Sequence, residues 1–256
     1  MTINQAFTIL QKAGGIRAAR IITESTGNLS WFRVKKISRQ LRRGVPVAKI
    51  IGQRWFYGLK FYTNRHTLDP RPDTETLVSA VISDCGAGRV PRILDLGTGT
   101  GCIIISLIKN IVGSTGTGVD RSRGALRVAR CNVLTHGVGD RVRIIRGRFD
   151  RARDLGGRYD IIVSNPPYIA RGDSRVDAGA RHDPAMALYA DNDGLAAYEQ
   201  IAQNARAWIV TGGQIYLEIG IGMGDYIRRI FERAGWHYVR SETDLSGLER
   251  VLVFSY

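Results

Sequence analysis

The residues best suited to chemistry in this chain are Asn165-Pro166-Pro167-Tyr168, directly after the apolar stretch Asp160-Ile161-Ile162-Val163-Ser164. Proline fixes its own φ and drives the preceding residue into an extended conformation, so two in succession make a stiff loop at a strand end. Such a loop holds the Asn165 side-chain oxygen and the Pro166 carbonyl as two fixed acceptors, with Tyr168 as an aromatic wall. Two acceptors suit a planar NH2 group. Neither a nucleophile nor an acid stands among the four residues, so they are suited to orienting and desolvating a nitrogen rather than attacking anything. A second constellation, Asp95-Leu96-Gly97-Thr98-Gly99-Thr100-Gly101, lies upstream. Its alternating glycines allow a tight turn and a close approach of ligand to backbone, beside the free amides of a helix start. Asp120, at the end of the next strand candidate, is placed to accept hydrogen bonds from both ribose hydroxyls. Glycine loop and acid together indicate an adenosine-containing cofactor.

These residues need a scaffold that gathers strand ends. Apolar strand patterns at 92–96, 117–120, 142–146, 159–164 and 214–218 alternate with helical patterns at 102–110, 122–135, 194–207 and 224–234. Alternation of this kind gives a parallel sheet covered on both faces. The last two strands, 236–240 and 250–254, are joined without a helix, which predicts an antiparallel close to the sheet. Ahead of it, residues 1–45 show short helical patterns punctuated by Gly14-Gly15 and Gly27-Asn28, a small helical domain. Residues 46–70, rich in Ile, Trp, Phe and Tyr around Gly52 and Gly58, read as a hairpin-like connector. The main domain then runs 71–256, with Asp73 or Thr74 capping a helix to about residue 83.

The 256 residues are 44% hydrophobic and 23% charged, average globular usage that argues against disorder or a fibrous repeat. The longest apolar run, residues 102–108, is too short to span a membrane. The first residues carry no secretion signal, so a cytoplasmic location is expected. Cys85, Cys102 and Cys131 lack metal or disulfide spacing, and four scattered histidines suggest no metal site. The net charge of +14 points to a polyanionic partner such as RNA, yet 31 of the 37 basic residues are arginine, a skew that compositional bias also produces. Both readings stay open. Gly212-Gly213-Gln214 reads as a turn ahead of a strand.

The sequence resembles class I S-adenosylmethionine-dependent methyltransferases with an Asn-Pro-Pro-Tyr motif. Within them it is similar to the glutamine-N5 methyltransferases of peptide chain release factors. Beyond the two constellations, the likeness rests on residues 52–59 (Gly-Gln-Arg-Trp-Phe-Tyr-Gly-Leu), Arg71-Pro72-Asp73-Thr74-Glu75-Thr76, His182-Asp183-Pro184, Asp193-Gly194-Leu195 and Leu217-Glu218-Ile219-Gly220. The resemblance implies a Rossmann-like α/β sheet, mostly parallel with an antiparallel C-terminal strand, and S-adenosylmethionine as cofactor. It implies cofactor contacts from Gly97, Thr98, Gly99, Thr100, Gly101, Asp120, Arg148 and Asn165. Asn165, Pro166, Pro167 and Tyr168 would hold the substrate glutamine, with Asn165, Pro166 and Tyr168 as the catalytic set. The family's adenine-side loop has an acidic residue and then a large apolar one before Phe, where this chain has Gly147-Arg148-Phe149. Its helical domain is also longer than the 45 residues here, for which the resemblance implies a small substrate-docking role with fewer contacts to the release factor. Two alternatives carry over: an adenine or cytosine amino-methyltransferase acting on nucleic acid, and a non-catalytic RNA-binding protein on the same fold.

Overall fold

Successive residues of a strand point to opposite faces, and the central strands use this to fill two separate cores. In β3 (Arg92–Leu96), Ile93 faces one helical layer while Leu94 and Leu96 face the other. β6 (Tyr159–Ser164) divides Ile161 and Val163 from Ile162 in the same way, and β11 (Glu249–Ser255) divides Val251 and Val253 from Leu252 and Phe254. This computed structural model describes residues 1–27, 29–86, 88–149, 155, 157–173 and 179–256; Asn28 of the expected Gly27-Asn28 break lies outside them.

Seven strands form one sheet in the order β10-β11-β9-β6-β3-β4-β5. The others are β4 (Thr115–Asp120), β5 (Val142–Arg146), β9 (Ile209–Glu218) and β10 (His237–Thr243). β3, β4, β5, β6 and β9 run parallel, whereas β11 is antiparallel to both β9 and β10. The chain builds β3, β4 and β5 outward in one direction, then returns to lay β6 on the other side of β3, leaving a crevice at the carboxyl ends of β3 and β6. One face is covered by α4 (Glu75–Cys85) and α5 (Cys102–Asn110), with α6 (Arg123–Thr135) contributing Val133 to the same core. The other face carries α8 (Ala196–Asn204) and α9 (Gly224–Arg233), packed through Tyr198, Ile201, Ile227 and Phe231.

A third apolar cluster belongs to α1 (Ile3–Thr26) and α2 (Trp31–Arg42), joined by Ala6, Leu10, Ala19, Ile22, Val34 and Ile37. Gly15, at φ 84°, breaks α1 at the expected glycine pair. The expected connector is corrected in its first part. Residues Val47–Ile51 form a short helix, α3, whose Val47, Ile50 and Ile51 pack on the α1–α2 cluster. Its β-branched residues look like strand residues in isolation, but here they cover a helical neighbour. The hairpin follows as β1 (Gln53–Phe56) and β2 (Leu59–Tyr62), turning through Tyr57 and Gly58, both at positive φ. Phe56 and Phe61 are buried in the core beneath α4, while Trp55 remains exposed. A second correction concerns Gly212-Gly213-Gln214, which is not a turn before a strand but an irregularity inside β9. The register against β6 jumps there, Gly212 takes φ 78°, and its N–H donates to the Tyr256 carbonyl at 2.8 Å. No described helix is long and apolar enough to cross a membrane.

Candidate functional site

The carboxyl ends of β3, β4, β5 and β6 converge on a cavity of about 230 Å³ lined by Gly97, Gly99, Asp120, residues 147–149, Asn165 and Pro167. The glycine loop is held by backbone pairing to its neighbour strand, with the Gly97 and Thr98 amides both donating to the Val119 carbonyl at 2.9 Å. Gly97 sits at φ 78° against the Phe149 ring, where an added Cβ would lie 3.3 Å from Cζ. A side chain there would be strained and would fill the cradle. Thr98 and Thr100 are buried and turned into the protein, and Thr98 Oγ1 donates to Asp95 Oδ2 at 2.6 Å. Gly101, at φ 80°, packs on Ile105 and Ala129. Of the five loop residues, then, Gly97 and Gly99 line the cavity while Thr98, Thr100 and Gly101 shape the turn behind it.

Asp120 closes the loop from the side. One carboxylate oxygen accepts from the Gly99 amide at 3.0 Å and the other from the Ser122 amide at 2.8 Å. Burial raises its pKa above the ordinary carboxylate range in spite of these donors. Each oxygen keeps further lone-pair capacity for a ligand hydroxyl. Arg148 and Phe149 line the same wall, beyond β5. These groups fit a nucleoside: a carboxylate for paired hydroxyls, an aromatic edge and a side-chain-free cradle.

Asn165 is fixed by two residues from distant parts of the chain. Its Nδ2 donates to Thr74 Oγ1 at 3.1 Å, and the buried Glu218 side chain lies beside both residues. With the nitrogen turned to Thr74, Oδ1 is the amide atom available to an incoming donor. Glu218 is buried and one of its oxygens, Oε2, has no hydrogen-bond partner among the described residues. Burial pushes its pKa up to about 7, the Thr74 and Asn165 hydrogen bonds and Arg250 opposing and Asp73 adding to the rise. Pro166 is buried, and Tyr168 stands beside the cavity rather than on its lining, its hydroxyl pushed up to about 12 chiefly by burial and by Glu218. Gly194 and Gly220 leave no room for a Cβ against Tyr168, which accounts for two of the glycines in the downstream motifs.

The segment ahead of α4 ties the site together residue by residue. Arg71 pairs with Asp183 at 2.9 Å, Asp73 with Arg250 at 3.1 Å, and Glu75 Oε1 accepts from the Tyr57 amide at 2.8 Å. Neither Asp73 nor Thr74 caps α4 with its side chain, contrary to the sequence expectation. Both are drawn to partners across the site, and a 3-10 turn at Pro72–Thr74 leads into the helix instead. Behind this segment Lys49 is buried between Asp69 at 2.8 Å and Asp183 at 2.9 Å. The network joins α3 to two cavity walls, one carrying His66, Thr67 and Leu68 and the other Met186, Ala187 and Tyr189.

Sequence reasoning missed Thr74 and Glu218 as the holders of Asn165, and Lys49 altogether. A threonine and a glutamate recurring in the family motifs were the available signal.

The Methyltransferase small domain family matches residues 69–182. The release factor glutamine methyltransferase of Bradyrhizobium diazoefficiens is 37% identical over 242 residues, spanning 92% of this chain and 80% of its own length. That of Bordetella pertussis is 38% identical over 218 residues, 85% of this chain and 80% of its own. Among solved structures, the ribosomal protein L11 methylase from Lactobacillus delbrueckii subsp. bulgaricus matches with a TM-score of 0.52 over 73% of this chain and 82% of its own at 18% identity, a likeness of fold.

Proposed function

The chain belongs to the release factor glutamine methyltransferases, and on that premise we propose that it transfers a methyl group from S-adenosylmethionine to the side-chain amide nitrogen of the glutamine in the Gly-Gly-Gln loop of peptide chain release factors. The observation that carries the chemistry is the anchoring of Asn165 Nδ2 by Thr74, beside the buried Glu218. It orients the amide so that Oδ1 accepts from a substrate nitrogen.

Gly97, Gly99, Asp120 and residues 147–149 would hold the cofactor, Asp120 through the ribose hydroxyls. When bound, S-adenosylmethionine supplies an electrophilic sulfonium methyl. An amide nitrogen is a poor nucleophile because its lone pair is delocalised into the carbonyl. Asn165 Oδ1 and the Pro166 carbonyl accept from its two N–H groups, one of whose protons leaves as the methyl is gained, and the half-buried loop with Pro167 limits access of water. The preset geometry spares the reorganisation that free amides would need in water. A release factor substrate supports the expected cytoplasmic location.

Asn165→Ala tests the reading. Turnover falls by at least about 100-fold, while cofactor affinity by calorimetry stays within about threefold of the parent. An unchanged turnover would refute it.

A further inference from the structure

We propose that the exposed face of α2 binds single-stranded RNA. The excess positive charge of this protein is not spread evenly. Residues 1–45 hold nine basic residues and one acidic, a net charge of +8, while the remaining 211 residues hold 28 basic against 22 acidic, only +6. A uniform arginine bias would not concentrate more than half of the excess in under a fifth of the chain.

Within that region α2 sorts its residues sharply. Val34, Ile37 and Ser38 are buried and Leu41 packs against the same cluster, whereas Arg33, Lys35, Lys36, Arg39, Arg42 and Arg43 are all exposed. At 3.6 residues per turn, Trp31, Arg42, Lys35, Arg39, Phe32, Arg43 and Lys36 follow one another over an arc of about 140°. No acidic residue interrupts that arc. Lys35 lies over the Trp31 ring at 4.9 Å, and none of the six cations forms an ion pair with a described residue.

Two aromatic rings share this face. Trp31 is 52% and Phe32 80% exposed, set edge to face with centroids 5.5 Å apart. Unpaired cations alone would suit any polyanion. Cations interleaved with exposed rings suit a strand whose phosphates meet the Lys and Arg side chains while unstacked bases lie on the rings. Duplex nucleic acid offers the phosphates without free base faces, and an acidic protein segment offers carboxylates without bases. The face lies in the helical layer, apart from the residues that line the cavity, so it adds to the proposed methyl transfer rather than forming part of it.

The test is fluorescence anisotropy of the full chain with a labelled 20-nucleotide single-stranded RNA at 50 to 200 mM salt, beside duplex RNA and polyglutamate. With about four phosphates neutralised, affinity for the single strand falls roughly 50-fold over that range. The triple variant Lys35→Glu, Arg39→Glu, Arg42→Glu binds at least tenfold more weakly and with a shallower salt slope. The double variant Trp31→Ala, Phe32→Ala weakens binding about tenfold and removes the preference over duplex. Unchanged cofactor affinity in both variants shows that they fold. The proposal is overturned if either variant binds RNA like the parent, or if polyglutamate binds as tightly as RNA. It is equally overturned if the variants lose methylation of release factor with RNA binding intact, which would make the face a protein-docking surface.

Discussion

Replacing Glu218 by Gln makes the variant gain stability on the parent as pH rises. The carboxyl group is fully buried, one oxygen lacks a partner, and its pKa rises from 4.5 to about 7. A carboxyl that holds its proton more tightly in the folded chain than in the unfolded chain loses stability as pH climbs past the unfolded value, until the folded value is also passed. Between pH 5 and pH 8 that loss amounts to about 2.5 kcal/mol in the parent. Glutamine keeps the shape and a polar oxygen beside Thr74 and Asn165 but does not titrate, so the variant lacks this pH-dependent loss. Asp95, also pushed up to about 7 by burial, titrates identically in both proteins and drops out of the difference. Urea unfolding of parent and Glu218→Gln at pH 5, 6, 7 and 8 reads it directly. The variant gains on the parent by about 2.5 kcal/mol from the lowest to the highest pH. Parallel stability curves would refute the assignment of a buried, tightly protonated Glu218.

Two further outcomes follow from the site. Asp120→Ala weakens S-adenosylmethionine at least tenfold by calorimetry, since the side chain that holds the Gly99 amide is the one proposed to meet the ribose; equal affinity would contradict that role. Asp183→Ala removes the carboxylate that pairs with Arg71 and leaves Lys49 with Asp69 as its one remaining carboxylate among the described residues, costing about 3 kcal/mol in urea unfolding. A cost below about 1 kcal/mol would mean the buried network is not a structural tie.

Local patterns in this chain reveal strands, turns and loop chemistry better than they reveal what holds the loops. β3, β5 and β6 begin and end where their patterns do; β3 and β6 are buried on both faces and stop at Gly97 and Asn165, and β5 stops at Gly147. The glycine loop and the Asn-Pro-Pro-Tyr loop are legible for the same reason: their chemistry is written within seven and four consecutive residues. β9 is longer than expected because its first half pairs across a glycine irregularity that looks like a turn in one dimension. The Thr74–Asn165–Glu218 group spans 144 residues of sequence, and Lys49–Asp69–Asp183 spans 134. Each member alone looks like an ordinary surface residue, and only the sheet topology brings them together. The resemblance singled out Thr74, Glu218 and Asp183 as motif residues without saying what they touch.

The central claim is that the Asn165 loop presents a glutamine amide for methylation. Its most direct test is methyl incorporation from labelled S-adenosylmethionine into purified release factor, run beside the same factor with its loop glutamine changed to alanine and beside duplex DNA. Label on the unaltered factor alone is the predicted result. Label on DNA, or equal label on both forms of the factor, would contradict it.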